Sequence, residues 1–310
     1  MGSPSAAIDL GSNTIRMLVA AVKNGAPKAL LLRQETTRLG MALKPGSCFR
    51  PQAVERTWRV LEEYRAAAEA LGAKSVLVGA TGAVREAADG RALLKRIEAE
   101  LGMEARLLSG EEEAVLAAAG VLAVLKPAGG DFLLFDLGGR STEFVQVTGG
   151  QTWRAVSLSL GAVGLTEKFF RQDPPSAQKV GALRATAAWL LAEGLGAGFA
   201  AGPDRPLIGT AGTATTCAAV LQGLEPYDAA RVNGYLIPAA ALEALFERLV
   251  GMPLAERQRV PGLPADRADI LPAGIGVILE ILKFFHQPNF LVSDAGLLEG
   301  LWLVAAGVRS

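Results

Sequence analysis

An apolar run ending in Asp-Leu-Gly occurs twice in this chain, in AAIDLGSNTIRMLVAAV at residues 6–22 and in LLFDLGGRSTEFVQVTGG at residues 133–150. In both places a small polar turn follows, and a second β-leaning run begins after a Thr. Each copy reads as a β-hairpin with its acid at the bend. The repeat restricts the fold more than any compositional figure, because the pattern downstream of each hairpin also starts over.

Strand-like runs at 6–10, 14–22 and 29–36, with Asn24-Gly25 as a turn signal, predict an antiparallel meander. Pro51 then opens a helical pattern to 71, KSVLVGATGAV predicts a buried strand leading through a loop to a short helix, and EARLLSG predicts another strand. Residues 111–125 read as a helix with Ser109 or Gly110 near its start and three acids in the first turn. KPAGGD at 126–131 breaks the chain. Strands follow at 131–136, 142–148 and 151–158, and PLIGTAGTATTCAAV predicts a strand, a Gly/Thr loop and a helix. Largely helical sequence then runs to about 285, and NFLVSDAGLLEGLWLVAAG closes with a strand and a helix. Two α/β domains are expected, 1–125 and 126–310, with the final helix packing back on the first. If both hairpins serve one ligand, the domains face each other across a cleft.

Composition narrows the function classes. The 310 residues are 50% hydrophobic, enough for a sizeable core. Lys plus Arg and Asp plus Glu each total 31, which gives no global field for nucleic acid or an anionic membrane. Cys48 and Cys217 have no metal-ligand spacing and suit a reducing compartment. No apolar stretch has spanning length, and the N-terminus lacks the order of a signal peptide, so a cytoplasmic protein is expected. Residues 1–4 carry no pattern and are expected to have no function.

The hairpin turns themselves suggest chemistry. Small residues let successive backbone N–H groups converge on an anion, and an Asp at the strand end can hold a hard cation, a combination that suits phosphate with magnesium. One such turn would be an ordinary turn. Two with matching acids, joined by the third Gly/Thr stretch IGTAGTATT, favour a phosphate site.

These residues also resemble a known family. The pairing of DLGSNT with DLGGRSTE and GTAGT is similar to the phosphate and adenosine loops of the actin and hexokinase superfamily. Within it, AAIDLGSNTIRMLVA, GATGAVREAADG, LLSGEEEAVLAAAGV, LLFDLGGRSTEFV, SLSLGAVGLTEKF, IGTAGTATT and VSDAGLLEG resemble, in order, the motifs of the exopolyphosphatase and guanosine-pentaphosphatase (Ppx/GppA) family. The resemblance implies two actin-like, ribonuclease H-like α/β domains with a phosphate-binding cleft between them. It implies hydrolysis of a terminal phosphoanhydride in polyphosphate or a guanosine polyphosphate, with Mg2+ or another divalent cation, and no nucleic-acid or membrane partner. The oligomeric state stays open, a homodimer included.

Residue by residue, the resemblance makes Glu113 the catalytic acid/base, where spacing alone does not separate it from Glu111 and Glu112. Asp136 and Glu143 match the acids near magnesium, and Asp9 is the corresponding acid of the first hairpin, with a contact through water as one option. Ser12, Asn13, Arg16, Arg85, Gly138, Gly139, Arg140, Ser141, Gly212 and Thr213 match the phosphate-binding positions, and Thr81 helps shape the same cleft. Arginine forks and hydroxyls suit phosphate oxygens.

Two departures stand out. Arg140 occupies the place of a third Gly in the second turn, which costs strain if φ there is positive. Leu298 stands where the family has Arg, removing a phosphate contact or an ion-pair partner. The chain also ends soon after that motif, without the histidine-bearing helical extension of larger members. His286, the only histidine, is expected to be structural or on the surface, which leaves no support for a Ser-His-Asp or histidine-metal mechanism. Two other functions remain open: a catalytically slow polyphosphate- or guanosine-polyphosphate-binding sensor, and an ATP-dependent kinase, against which SGEEEA and TGAVREA count.

Overall fold

The second half of the chain rebuilds the sheet of the first half, strand for strand, from unrelated core residues. A computed structural model describes residues 3–23, 26–202 and 205–308, so the Asn24-Gly25 turn and the first two residues lie outside the described residues. The chain divides into two units, one comprising the residues up to Lys126 together with those from Ala295 onward, the other Pro127–Asp294.

The first unit holds β1 (Ser5–Leu10), β2 (Thr14–Lys23), β3 (Ala26–Thr36), β4 (Val76–Ala80) and β5 (Glu104–Leu107), in the order β3-β2-β1-β4-β5. β1 to β3 form the antiparallel meander, and β1, β4 and β5 run parallel. Parallel strands require both faces to be covered, which is why β4 (VLVGA) is buried throughout. The helices Pro51–Ala70 and Gly90–Leu101 supply Trp58, Leu61, Tyr64, Leu93, Leu94 and Ile97 to a core with Ile8, Ile15 and Met17.

The helix Leu297–Ala305 packs on β1, β2 and β4 and on the helix Gly110–Val124. Its Trp302 Nε1 donates to the carbonyls of Ser5 (3.1 Å) and Ala20 (3.2 Å), so the indole is both buried and satisfied. The two helices touch through backbone: a Cβ on Gly120 would lie 2.0 Å from Gly296 O, and one on Gly300 would lie 2.0 Å from Leu116 O. Leu298 is fully buried in this helix. An apolar side chain occupies that place at no desolvation cost, whereas an unpaired Arg would pay one.

The second unit holds β6 (Phe132–Leu137), β7 (Thr142–Thr148), β8 (Gln151–Leu158), β9 (Leu207–Thr210), β10 (Leu236–Pro238) and β11 (Asn289–Val292), in the order β10-β11-β9-β6-β7-β8. β6 to β8 form the meander, β6, β9 and β11 are parallel, and β10 pairs antiparallel on the far edge. The series β8-β7-β6-β9-β11 thus repeats β3-β2-β1-β4-β5. Phe135, Phe144 and Phe290 pack with the helices Ala177–Leu195 and Leu271–Phe284 in one core.

Two expectations need correction. The stretch 236–238, read as part of a helical region, is a strand, confined to an edge where Pro238 is tolerated. The Gly/Thr loop after β9 does not exist as a loop: the helix Ala211–Gln222 starts directly from Thr210, and the sharp change of direction is taken up by Ala211 at φ 67°. Among the described residues no helix is long and apolar enough to cross a membrane.

Candidate functional site

In parallel α/β sheets, the loops leaving the carboxyl ends of the strands converge on one edge and carry ligands. In the first unit those loops hold the predicted residues. Asp9, next to last in β1, faces Arg16 on β2 and Gly79 on β4 in register. The turn after β1 is closed by Gly11 N donating to Thr14 O at 3.1 Å. Ser12 O accepts from Gly40 N (2.8 Å), and Asn13 O accepts from Arg38 N (2.9 Å), which fixes the turn against the 38–40 segment. A Cβ on Gly40 would come within 3.0 Å of the Cβ atoms of both Ser12 and Ala83. Gly40 therefore lets the turn approach the short helix Gly82–Glu86, which carries Arg85 and is preceded by buried Thr81.

Glu113 is the point where the three first-turn acids part company. Ser109 is the N-cap of Gly110–Val124: its Oγ accepts from Glu112 N at 3.1 Å, and Glu112 Oε2 accepts from Ser109 N at 2.7 Å. This reciprocal capping box uses Glu112 in the fold and lowers its carboxyl pKa, chiefly through that backbone hydrogen bond. Glu111 and Glu112 are exposed. Glu113, one residue on, is only 7% exposed. Its Oε2 takes a hydrogen bond from Arg85 Nη1 at 2.9 Å, and the same nitrogen donates to Leu108 O at 2.8 Å. A guanidinium has five N–H donors, so one face of Arg85 anchors Glu113 while others remain for a ligand.

Burial raises the Asp9 carboxyl from 3.8 to about 6; Arg16 opposes that rise and Glu299 adds to it. Glu299 was not singled out from the sequence. It is buried in the first turn of Leu297–Ala305, where its Oε2 accepts from Gly296 N at 2.8 Å.

The second unit repeats the plan with different charges. Asp136 faces Glu143 on β7 and Thr210 on β9. The turn is closed by Gly138 N donating to Ser141 O at 3.0 Å, the counterpart of the Gly11 bond. Gly138 O accepts from Ala162 N (3.0 Å), and Gly139 O accepts from Val163 N (2.9 Å), so the turn is seated on the start of the helix Ala162–Phe169. Arg140 is not among the residues with positive φ, so the expected strain is absent. The neighbour accommodates it instead: a Cβ on Gly161 would fall 2.3 Å from Arg140 N. The Arg140 side chain, 8% exposed, pairs with Glu167 at 3.2 Å. Gly212 and Thr213 lie in the first turn of Ala211–Gln222, and the Arg267 guanidinium packs on Gly212 so closely that a Cβ there would be 1.6 Å from it.

Asp136 and Glu143 are buried, and both offer carboxylate oxygens, the donor type that hard divalent cations select. Among the described residues no group of three or more His, Cys, Asp or Glu side chains gathers around a common point. That donor set fits an ion that keeps most of its water and takes one or two carboxylates, as Mg2+ does.

Comparison with known proteins agrees with the fold. The model of the Ppx/GppA phosphatase family matches residues 18–306. Exopolyphosphatase 2 of Mycobacterium tuberculosis is 33% identical over 319 aligned positions, covering 97% of this chain and 98% of the relative. The crystal structure of the Aquifex aeolicus Ppx/GppA family member superposes with a TM-score of 0.84 at 32% identity, covering 99% of each chain. That of an exopolyphosphatase-like protein superposes with a TM-score of 0.91 at 27% identity, covering 97% of each. With its two α/β units and matching hairpins, the chain belongs to the Ppx/GppA phosphatase family.

Proposed function

We propose that this phosphatase releases the terminal phosphate of inorganic polyphosphate by attack of water assisted by Mg2+, with guanosine pentaphosphate as a second substrate of the same chemistry. Glu113 carries the reading. It is a buried carboxylate at a helix start, held by Arg85 and separate from the capping box that employs its neighbour. A carboxylate so fixed accepts a proton from water, the step that phosphoanhydride hydrolysis needs. Arg85, Arg16, Ser12 and Asn13 offer donors to phosphate oxygens, as do Gly138, Gly139, Ser141, Gly212 and Thr213. Asp136 and Glu143 would hold Mg2+. When bound, the ion supplies charge stabilisation for the phosphoryl oxygens. Kinship with the exopolyphosphatase of Mycobacterium tuberculosis supports polyphosphate as the substrate.

The test is phosphate release from short polyphosphate, long polyphosphate and guanosine pentaphosphate, without an acceptor, with Mg2+ and with a chelator. Release from polyphosphate that stops on chelation is expected. Tight polyphosphate binding with no release would replace the enzyme by a sensor, and a need for an acceptor would make it a kinase.

A further inference from the structure

The row of side chains across the second hairpin does not stop at Glu143. In register, Glu143 has Asp136 on one side and Ser157 of β8 on the other. Residues directly opposite on antiparallel strands project to the same face, so the three form one line across the sheet. Ser157 Oγ donates to Glu143 Oε1 at 2.6 Å, and Glu143 has no exposed surface. A serine hydroxyl has one proton to give, and here a buried carboxylate receives it.

We infer that Ser157 is a positioning residue that holds Glu143 as a one-oxygen ligand and so favours a small octahedral cation over a larger one. The inference rests on the reading of Asp136 and Glu143 as Mg2+ ligands. With Oε1 engaged by the hydroxyl, Oε2 is the oxygen a cation takes. Mg2+ demands near-ideal octahedral geometry with one or two carboxylates, whereas Ca2+ accepts more oxygens and commonly takes a carboxylate through both. Fixing the rotation of Glu143 and occupying one oxygen therefore opposes Ca2+ more than Mg2+. Groups that orient a ligand in this way change metal affinity by about 10- to 100-fold when removed.

The experiment measures ion binding directly, not turnover, on the full chain. Mg2+ and Ca2+ are titrated by calorimetry and by displacement of Mn2+ followed by electron paramagnetic resonance, in wild type, Ser157→Ala and Ser157→Thr. Thermal unfolding of each variant checks the fold. Ser157→Ala is expected to weaken Mg2+ binding about 10-fold or more, with a smaller loss for Ca2+ and hence a shifted ion preference. Ser157→Thr, which keeps the hydroxyl, is expected to restore both. Should the alanine variant fail to fold, Ser157→Cys, a weak donor of similar shape, replaces it. Unchanged affinities for both ions, or an equal loss for both, would overturn the positioning role alone. A wild type that binds no Mg2+ would overturn the metal reading beneath it as well.

Discussion

Replacing Glu113 by Gln separates chemistry from architecture, because the side chain keeps its shape while losing its ability to accept a proton. The Gln carbonyl can still accept from Arg85 Nη1, which sits 2.9 Å from the carboxylate. The structural cost is therefore the difference between a charge-assisted and a neutral hydrogen bond, about 1 kcal/mol. For a protein of this size that is a fall of roughly 1–2 °C in Tm. Loss of a general base costs on the order of 10²–10⁴-fold in turnover. The capping box supplies the internal control. Glu112→Ala removes the bond from Ser109 N and costs about 1 kcal/mol of stability, yet Glu112 is exposed and touches no candidate reacting group, so turnover should stay within about threefold of wild type. Phosphate release at saturating polyphosphate, with melting curves on the same preparations, reads both quantities. Two variants of similar Tm and very different turnover are the expected outcome. Near wild-type release by Glu113→Gln, or equal losses of turnover in both variants, would refute the assignment.

Two further outcomes follow from the hairpins. Asp9 holds its proton more tightly in the fold, at about 6 against 3.8, so its contribution to stability is complete below about pH 4 and is lost as pH rises through 6. In chelator, Asp9→Asn is expected to be more stable than wild type at pH 7.5, by at most about 3 kcal/mol, and equal to it near pH 4; urea unfolding showing the same difference at both pH values would refute this. Gly161→Ala places a Cβ 2.3 Å from Arg140 N, a backbone atom that no rotamer change can move aside. A loss of about 1–3 kcal/mol in thermal or urea unfolding is expected, and an unchanged midpoint would show that the second turn is not seated as described.

The hairpins were legible because their signals are local: an apolar run, a strand-end Asp and small turn residues all lie within a dozen positions. The capping box was equally local, Ser109-x-x-Glu112, and reading the three acids as interchangeable passed over it. The start of the helix at 211–222 was hidden by its own composition. Gly and Thr are poor helix formers, and burial of Thr213, Ala214, Thr216, Cys217 and Ala218 overrides that preference through packing no local window contains. Ser157 depends on the β7/β8 register, which a bulge between Gln146 and Val147 shifts. Glu299 reaches the neighbourhood of Asp9 only because the last helix packs on β1.

The two hairpins occupy the same place in their sheets, yet they differ where a ligand would feel it most. Asp9 faces Arg16, whereas Asp136 faces Glu143. In the first unit the charge opposite the acid is a covalent part of the protein and opposes the rise that burial imposes on Asp9, and a guanidinium beside Ser12 and Asn13 suits an anion. In the second, two acids oppose each other on adjacent strands with little exposed surface. Like charges so placed repel, and burial removes the water that would screen them. The Arg140 guanidinium lies against Glu167 at 3.2 Å. The Ser157 hydroxyl offers Glu143 a dipole, not a charge. A divalent cation suits such a pair, because it carries the opposite charge and accepts an oxygen from each. On the proposed reading, a change of sign at a single cross-strand position separates a hairpin suited to phosphate from one suited to Mg2+.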